Sequence, residues 1–310
     1  MRSTTAPARG RRLVAGLAAM LVLVTTSCID PPPPPPPEPD LSELQARLQV
    51  VVEEAASAGV TLSVTVEDLS GTYGDAIARA GANETVKAAS IIKLPLLALL
   101  MQRVDEGALD MDTVITIPAG DSNIVGGSGT LRNRTFPVDI TIEELMELMV
   151  VVSDNTATNV LIDVAGGFDE INAYIDGLGL EIMYLGRKMI HPAVPPLQEN
   201  YIDADEVTEL LQMIWDGEIL SGASSDHIIG VMKRQLVNTK YGAVIPREFL
   251  ANKTGELNDV SHDSGFILLE DREVAMATTT AFTGLPRSVA DAFVQETARI
   301  TFEFLQEPLD

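Results

Sequence analysis

The order of strand-like and helix-like segments constrains this chain more than any other feature. Residues 61–67 alternate in polarity and are rich in β-branched side chains, and a second strand is expected between 73 and 80. Strand composition then vanishes until the C-terminal part. There residues 248–253, 264–270 and 273–280 carry it, the last two separated by Asp271-Arg272 as in a hairpin. Between the two groups the pattern is helical: residues 90–106, a segment entered at Thr141 with Glu144 three positions on, 155–165, 168–178, 203–215 and 224–235. Helices 41–58 and 287–305 flank the whole. Strands at both ends with helices between them require an antiparallel sheet built from both termini and a separate helical lobe. A cleft between two such lobes is a common place for a site.

The fold begins late. Arg2, Arg9, Arg11 and Arg12 precede an apolar run over 13–24 and then small residues, the form of an export signal over 1–27. Cys28 is the sole cysteine, so no internal disulfide can form. Its place after the apolar run resembles a bacterial lipobox, although Thr25-Thr26-Ser27 matches only in part; plain secretion with a leftover thiol is the alternative. Pro31 to Pro37 follow without interruption. Such a run is a stiff polyproline helix of ~3.1 Å per residue, so 28–40 reads as a linker giving a stand-off on the order of 30 Å. The expected location is therefore extracytoplasmic, on a membrane by a lipid anchor. A formal net charge of −24 repels phosphate backbones and argues against nucleic acid as a partner. A monomer is expected.

Three short motifs carry the candidate chemistry. Ser90-Ile91-Ile92-Lys93 puts a hydroxyl and an amine on one helical face. A serine needs a neighbouring base, and an amine serves only if burial or a second cation lowers its pKa. Ile91, Ile92, Leu94 and Leu96 favour that burial. Ser153-Asp154-Asn155 offers a second hydroxyl and an amide at a helix start. Lys253-Thr254-Gly255 offers a cation for an anionic substrate group, a hydroxyl, and a residue that lets a substrate backbone approach. Each motif alone also reads blandly: a helix cap with a snorkelling lysine, another cap, a strand end with a turn glycine.

Together, S-x-x-K, S-D-N and K-T-G resemble the class A β-lactamases and penicillin-binding proteins. Gly126-Gly127-Ser128-Gly129, the stretch 153–159 and His262-Asp263-Ser264-Gly265 extend the resemblance over nearly all of 41–310. It implies an α+β fold: a five-stranded antiparallel sheet flanked by the N- and C-terminal helices (41–85 and 236–310) beside an all-α lobe (86–235). It implies that Ser90 attacks an amide carbonyl, Lys93 activates it, and Ser153 with Lys253 returns the proton to the leaving nitrogen. The N–H groups of Ser90 and Glu256 would form the oxyanion hole, and Asn155, Thr254 and Gly255 would hold substrate. That substrate would be a β-lactam or a cell-wall peptide. A D-alanyl-D-alanine peptidase or a slowly deacylating penicillin-binding lipoprotein is the alternative. No cofactor is implied.

One departure matters. Class A β-lactamases carry a glutamate on the loop after S-D-N, and at that place this chain has Met189. His191 is a candidate water-activating base and Glu199 a weaker one; an ordinary loop histidine is the alternative. Arg187 matches the loop's anchoring arginine, with Asn200 as its expected partner. Other chemistries fit poorly. With only His191, His227 and His262 and one N-terminal cysteine, no zinc site is expected. Ser261-His262-Asp263 is contiguous on a strand, where neighbours face opposite ways, so it is not a triad.

Overall fold

The computed structural model describes residues 39–193 and 198–309. The expected export segment, Cys28 and the proline run lie outside the described residues. Helix α1 (Ser42–Ser57) buries Leu44, Leu48, Val51 and Ala55, one face at helical spacing. Strand β1 (Val60–Asp68) follows, then β2 (Ile77–Ala80). A two-residue strand β3 (Val86–Lys87) leads into a 3₁₀ turn over Ala89–Ile92 and helix α2 (Lys93–Asp105). Strands β4 (Val114–Ile117) and β5 (Val138–Thr141) form a small ribbon. Helices α3 (Ile142–Val151), α4 (Asn155–Val164) and α5 (Phe168–Gly177) come next. Strand β6 (Tyr201–Ile202) pairs with β3, and α6 (Ala204–Asp216), α7 (Gly222–Lys233) and the single turn α8 (Tyr241–Val244) complete the central part. The chain ends with β7 (Leu250–Glu256), β8 (Ser261–Ile267), β9 (Val274–Phe282) and α9 (Arg287–Gln306).

The main sheet has the order β2-β1-β9-β8-β7, antiparallel throughout, so strands from both ends of the sequence share it as expected. β1 is buried on both faces because both are covered. Val60, Leu62, Val64 and Val66 join a core with α1 and α9. Thr65 turns the other way and donates to Asp205 on α6 at 2.6 Å. A second core gathers the leucines of α2, the packed faces of α3, α4, α6 and α7, and Phe266, Ala275 and Ala277 from the sheet. The segment opened by Thr141 is capped as read, with Glu144 N–H donating to Thr141 Oγ1 at 3.1 Å. The reciprocal half of the capping box is replaced by an ion pair between Glu144 and Arg134. Among the described residues no helix is long and apolar enough to cross a membrane.

His262 ties this scaffold to the segment ahead of Ser90. It is fully buried on β8; its Nδ1 accepts from Thr280 N–H at 3.1 Å, which leaves Nε2–H to donate to Lys87 O at 2.9 Å. Its neighbour Asp263 faces the opposite side, accepting from Tyr241 N–H and Asn252. The contiguous Ser-His-Asp run is thus split between faces, as the strand alternation requires. Burial lowers the His262 pKa to about 4, because a charged ring would lose solvent and one of its two partners. In the unfolded chain it takes a proton from about pH 6.5 downward, while the folded ring does not until about 4. The stability of the wild type should therefore fall, relative to a His262→Gln variant, by on the order of 2–3 kcal/mol between pH 6.5 and 4. Urea titrations of the two proteins across that range check this; parallel curves would contradict it.

Candidate active site

Ser90 is not the helix cap that its sequence position suggests. It lies inside the 3₁₀ turn Ala89–Ile92, α2 starts only at Lys93, and no side-chain cap bond forms there. The preceding Ala89 has φ +48°, a left-handed value uncommon for a residue with a Cβ and one that marks stored strain. The turn is pressed against β7 at Gly255. A Cβ on Gly255 would stand 3.2 Å from Ser90 N and 3.0 Å from Ile91 Cγ1, so a side chain here would press on the turn and the absence of one eases the close approach.

Lys93, one turn on, is completely buried. Its Nζ contacts Ser153 O at 2.8 Å, Asn155 Oδ1 at 3.0 Å and Ser153 Oγ at 3.2 Å. Lys253 reaches the same Ser153 Oγ from β7 at 3.0 Å and Thr254 O at 2.7 Å. One hydroxyl thus sits between two buried amines. The Lys93 pKa is driven well below the ordinary lysine value, first by burial and then by the Lys253 charge. Burial also lowers Lys253, to about 7, against the pull of Asp263. A neutral Lys93 has a lone pair to accept from Ser153 O–H, while Ser153 Oγ accepts from the Lys253 ammonium. Every proton then has a place.

Ser153 is held there, in a strained conformation, by its neighbours. It has φ +54° between α3 and α4. Asp154 caps α4 through Ala157 N–H at 2.9 Å, and its other oxygen accepts from Thr130 and Leu131 N–H at 2.6 and 2.7 Å. Gly129 makes room: φ is +98° and a Cβ would lie 2.2 Å from Asp154 Oδ2. Asn155 N–H donates to Ser128 O and its amide to Gly126 O, both at 3.2 Å. The glycine-rich stretch 126–129 is therefore one wall of the site.

A cleft of about 830 Å³ is lined by Ser90, Asn155, Glu256, His191 and Ser128 among others. Lys93, Ser153, Asn155, Lys253 and Thr254 are joined by hydrogen bonds; Gly255 backs the Ser90 turn. His191 lines the cleft, with its ring Nε2 buried and without a hydrogen-bond partner among the described residues. Its loop is pinned at several points. Asn159 grips the Met189 backbone on both sides, at 2.7 and 3.2 Å, and Lys188 donates to Asp163 at 2.6 Å. The expected partner of Arg187 is corrected: Glu199 accepts its Nε at 2.7 Å, whereas Asn200 Oδ1 accepts the backbone N–H groups of Gly186 and Arg187. Asn200 is the shorter side chain and reaches only the loop's neck. The sequence reading also missed Lys240 and Arg287, whose contacts with Glu256 span distant segments and leave no local signal.

The model of the beta-lactamase enzyme family matches residues 43–305. The chain belongs to this family. Among curated relatives, beta-lactamase AER-1 of Aeromonas hydrophila is 27% identical over 262 residues, 82% of this chain and 81% of that one. The solved structure of PBP-A is 27% identical with a TM-score of 0.76, covering 87% of this chain and 98% of that one. The beta-lactamase of Sphaerobacter thermophilus is 27% identical with a TM-score of 0.75, over 86% and 98%. A mutant of PBP-A, similar to the same extent, has been solved as an acyl-enzyme complex with penicillin G. The five-stranded antiparallel sheet beside a helical lobe is the fold shared with these structures.

The two amines give this family member a definite pH signature. Acylation should rise with pH as Lys93 loses its proton, then fall as Lys253 loses its own near 7. Lys253→Arg, whose guanidinium stays charged, should shift the alkaline limb upward by at least about two pH units. Acylation rates from pH 5 to 10 check this; an unmoved alkaline limb would contradict it.

Proposed function

We propose that this chain is a serine hydrolase of the class A β-lactamase type, opening β-lactam amide bonds through an acyl-enzyme on Ser90. The observation that carries the proposal is Ser153 Oγ lying 3.2 and 3.0 Å from two fully buried lysine amines, a network joined through Asn155 to the cleft that Ser90 lines. Neutral Lys93 takes the proton as Ser90 Oγ bonds to the carbonyl carbon. The N–H groups of Ser90 and Glu256 receive the developing oxyanion, worth roughly 3–4 kcal/mol per donor. Ser153 then passes its proton to the ring nitrogen as the C–N bond breaks and takes its replacement from the Lys93 ammonium 3.2 Å away, which leaves Lys93 neutral again, with Lys253 holding the Ser153 oxygen. Asn155, Thr254 and Gly255 position the substrate. Water cleaves the ester and restores the Ser90 proton. Family membership and the penicillin G acyl-enzyme of the PBP-A mutant support this reading.

Release of the acyl group is the slow part of the proposal. Met189 stands where the loop glutamate of class A β-lactamases falls, Glu199 is tied to Arg187, and His191 is the candidate to activate water. Export and tethering through a lipidated Cys28 at the cell membrane belong to the same proposal. The arginine-led apolar segment and the proline run support them.

A chromogenic β-lactam should give a burst matching one acyl group per molecule, then slower steady turnover. Intact-mass analysis should find the adduct on the wild type and none on Ser90→Ala. His191→Asn should lengthen the adduct's lifetime by about 10²-fold or more with the burst rate unchanged. Fast turnover without a burst would contradict slow release, an unchanged lifetime would remove His191, and an adduct on Ser90→Ala would remove the nucleophile.

A further inference from the structure

The loop that carries His191 is gripped from outside the cleft by a closed triangle of three side chains. Lys188 Nζ donates to Asp163 Oδ1 at 2.6 Å and to Asn123 Oδ1 at 2.8 Å, and Asn123 Nδ2 donates to Asp163 Oδ2 at 2.8 Å. Asn123 is buried, and the Lys188 side chain is only 21% exposed. That sets the triangle apart from open surface ion pairs, where solvent screens the attraction and two mobile side chains lose their freedom. None of the three is among the described residues that line the cleft. Asn123 also leads into the glycine-rich wall: two residues on, Val125 N–H donates to Thr156 Oγ1 at 3.1 Å.

The triangle fixes one end of a short span. Asp163 lies one turn beyond Asn159 on α4, so a single helical face holds Lys188 by its side chain and Met189 by its backbone. On the far side, His191 O accepts from Arg187 Nη1 at 3.0 Å. Ile190 stands between these holds with φ +66°, a conformation that a β-branched residue keeps only under constraint from its surroundings. Releasing Lys188 gives that strain a way to relax, and His191 moves with it. The groups that activate Ser90 are insulated from such a change. Lys93, Ser153 and Lys253 hang on α2, the α3–α4 junction and β7, and their hydrogen bonds reach no member of the triangle.

We propose that Lys188 is a positioning residue for release of the acyl group: it sets the loop so that His191 meets the attacking water, and attack by Ser90 proceeds without it. The proposal rests on the reading of His191 as the group that activates water. In that step His191 takes a proton from the water whose oxygen bonds to the ester carbon, and returns it to Ser90 Oγ as that ester bond breaks. The base must stand within one hydrogen bond of the proton it takes, and a displacement of about 1 Å costs on the order of 10²-fold.

Rapid-quench intact mass with penicillin G reads the acylation rate and the adduct's lifetime separately. Lys188→Met and Asp163→Ala should each lengthen the lifetime about tenfold and leave the acylation rate within about twofold. Lys188→Arg, which still offers Asp163 a cationic donor, should keep a lifetime near that of the wild type. Added to His191→Asn, Lys188→Met should lengthen the lifetime no further, because the group it positions is already gone. Wild-type lifetimes in Lys188→Met and Asp163→Ala, with a longer one in His191→Asn, would overturn this inference alone. So would an acylation rate that falls as far as the release rate, or an equal lengthening in the His191→Asn background. A lifetime unmoved by His191→Asn would overturn the reading of His191 and this inference with it.

Discussion

The shared contact of Lys93 and Lys253 with Ser153 Oγ is the constraint on which the remainder of the site depends. Two ammonium groups cannot both stay charged when buried around one hydroxyl, since each loses solvent and repels the other. The structure resolves the conflict unequally. Lys93 has neutral oxygens as its hydrogen-bond partners, and burial together with the neighbouring cation drives its pKa well below the ordinary lysine value against the pull of Asp154. Lys253 has acidic support from Asp263 and Glu256, which offsets part of its desolvation. A base and an adjacent cation therefore arise from the same residue type, separated by their surroundings alone.

Holding that contact requires the two lobes to meet closely. Ser153 comes from the junction of α3 and α4, Lys93 from the first turn of α2, and Lys253 from the edge strand β7. The backbone is strained at the points of convergence, with Ser153 at positive φ and so too Ala89 and Ile190, which line the cleft. Such conformations cost free energy and persist only where packing over-determines them. Here Asp154 bonds both the 130–131 segment and its own helix, Asn159 clamps the Met189 backbone, and His262 bridges β9 and Lys87.

Much of this was legible in the sequence, for identifiable reasons. β1 and β9 announce themselves because they are long runs rich in β-branched and apolar residues, and α9 because it buries one face at helical spacing. The three motifs were legible because each packs its chemistry into three or four residues. The turn at Ser90 was not: a serine before an apolar run reads as a cap, and only the pressure of Gly255 on that turn reveals otherwise. The pairing of β3 with β6 has two residues a side and therefore no period to detect. Arg187 finds Glu199 and not Asn200, a choice made by side-chain reach across the loop's neck. The Lys240–Glu256–Arg287 arrangement joins α8's entrance, a strand end and a helix start, a relation that exists only in three dimensions.

The account stands or falls on the charge of one buried amine, which selective ¹⁵Nζ and ¹³Cε labelling of lysine can follow by NMR. Lys93, identified by loss of its signal in Lys93→Arg, should be a neutral amine at pH 7. Its titration should move upward when Lys253 is replaced by Met, since the nearby cation is then gone. A Lys93 signal that stays an ammonium until the ordinary lysine range near 10.5, and is indifferent to the Lys253 substitution, would contradict the account.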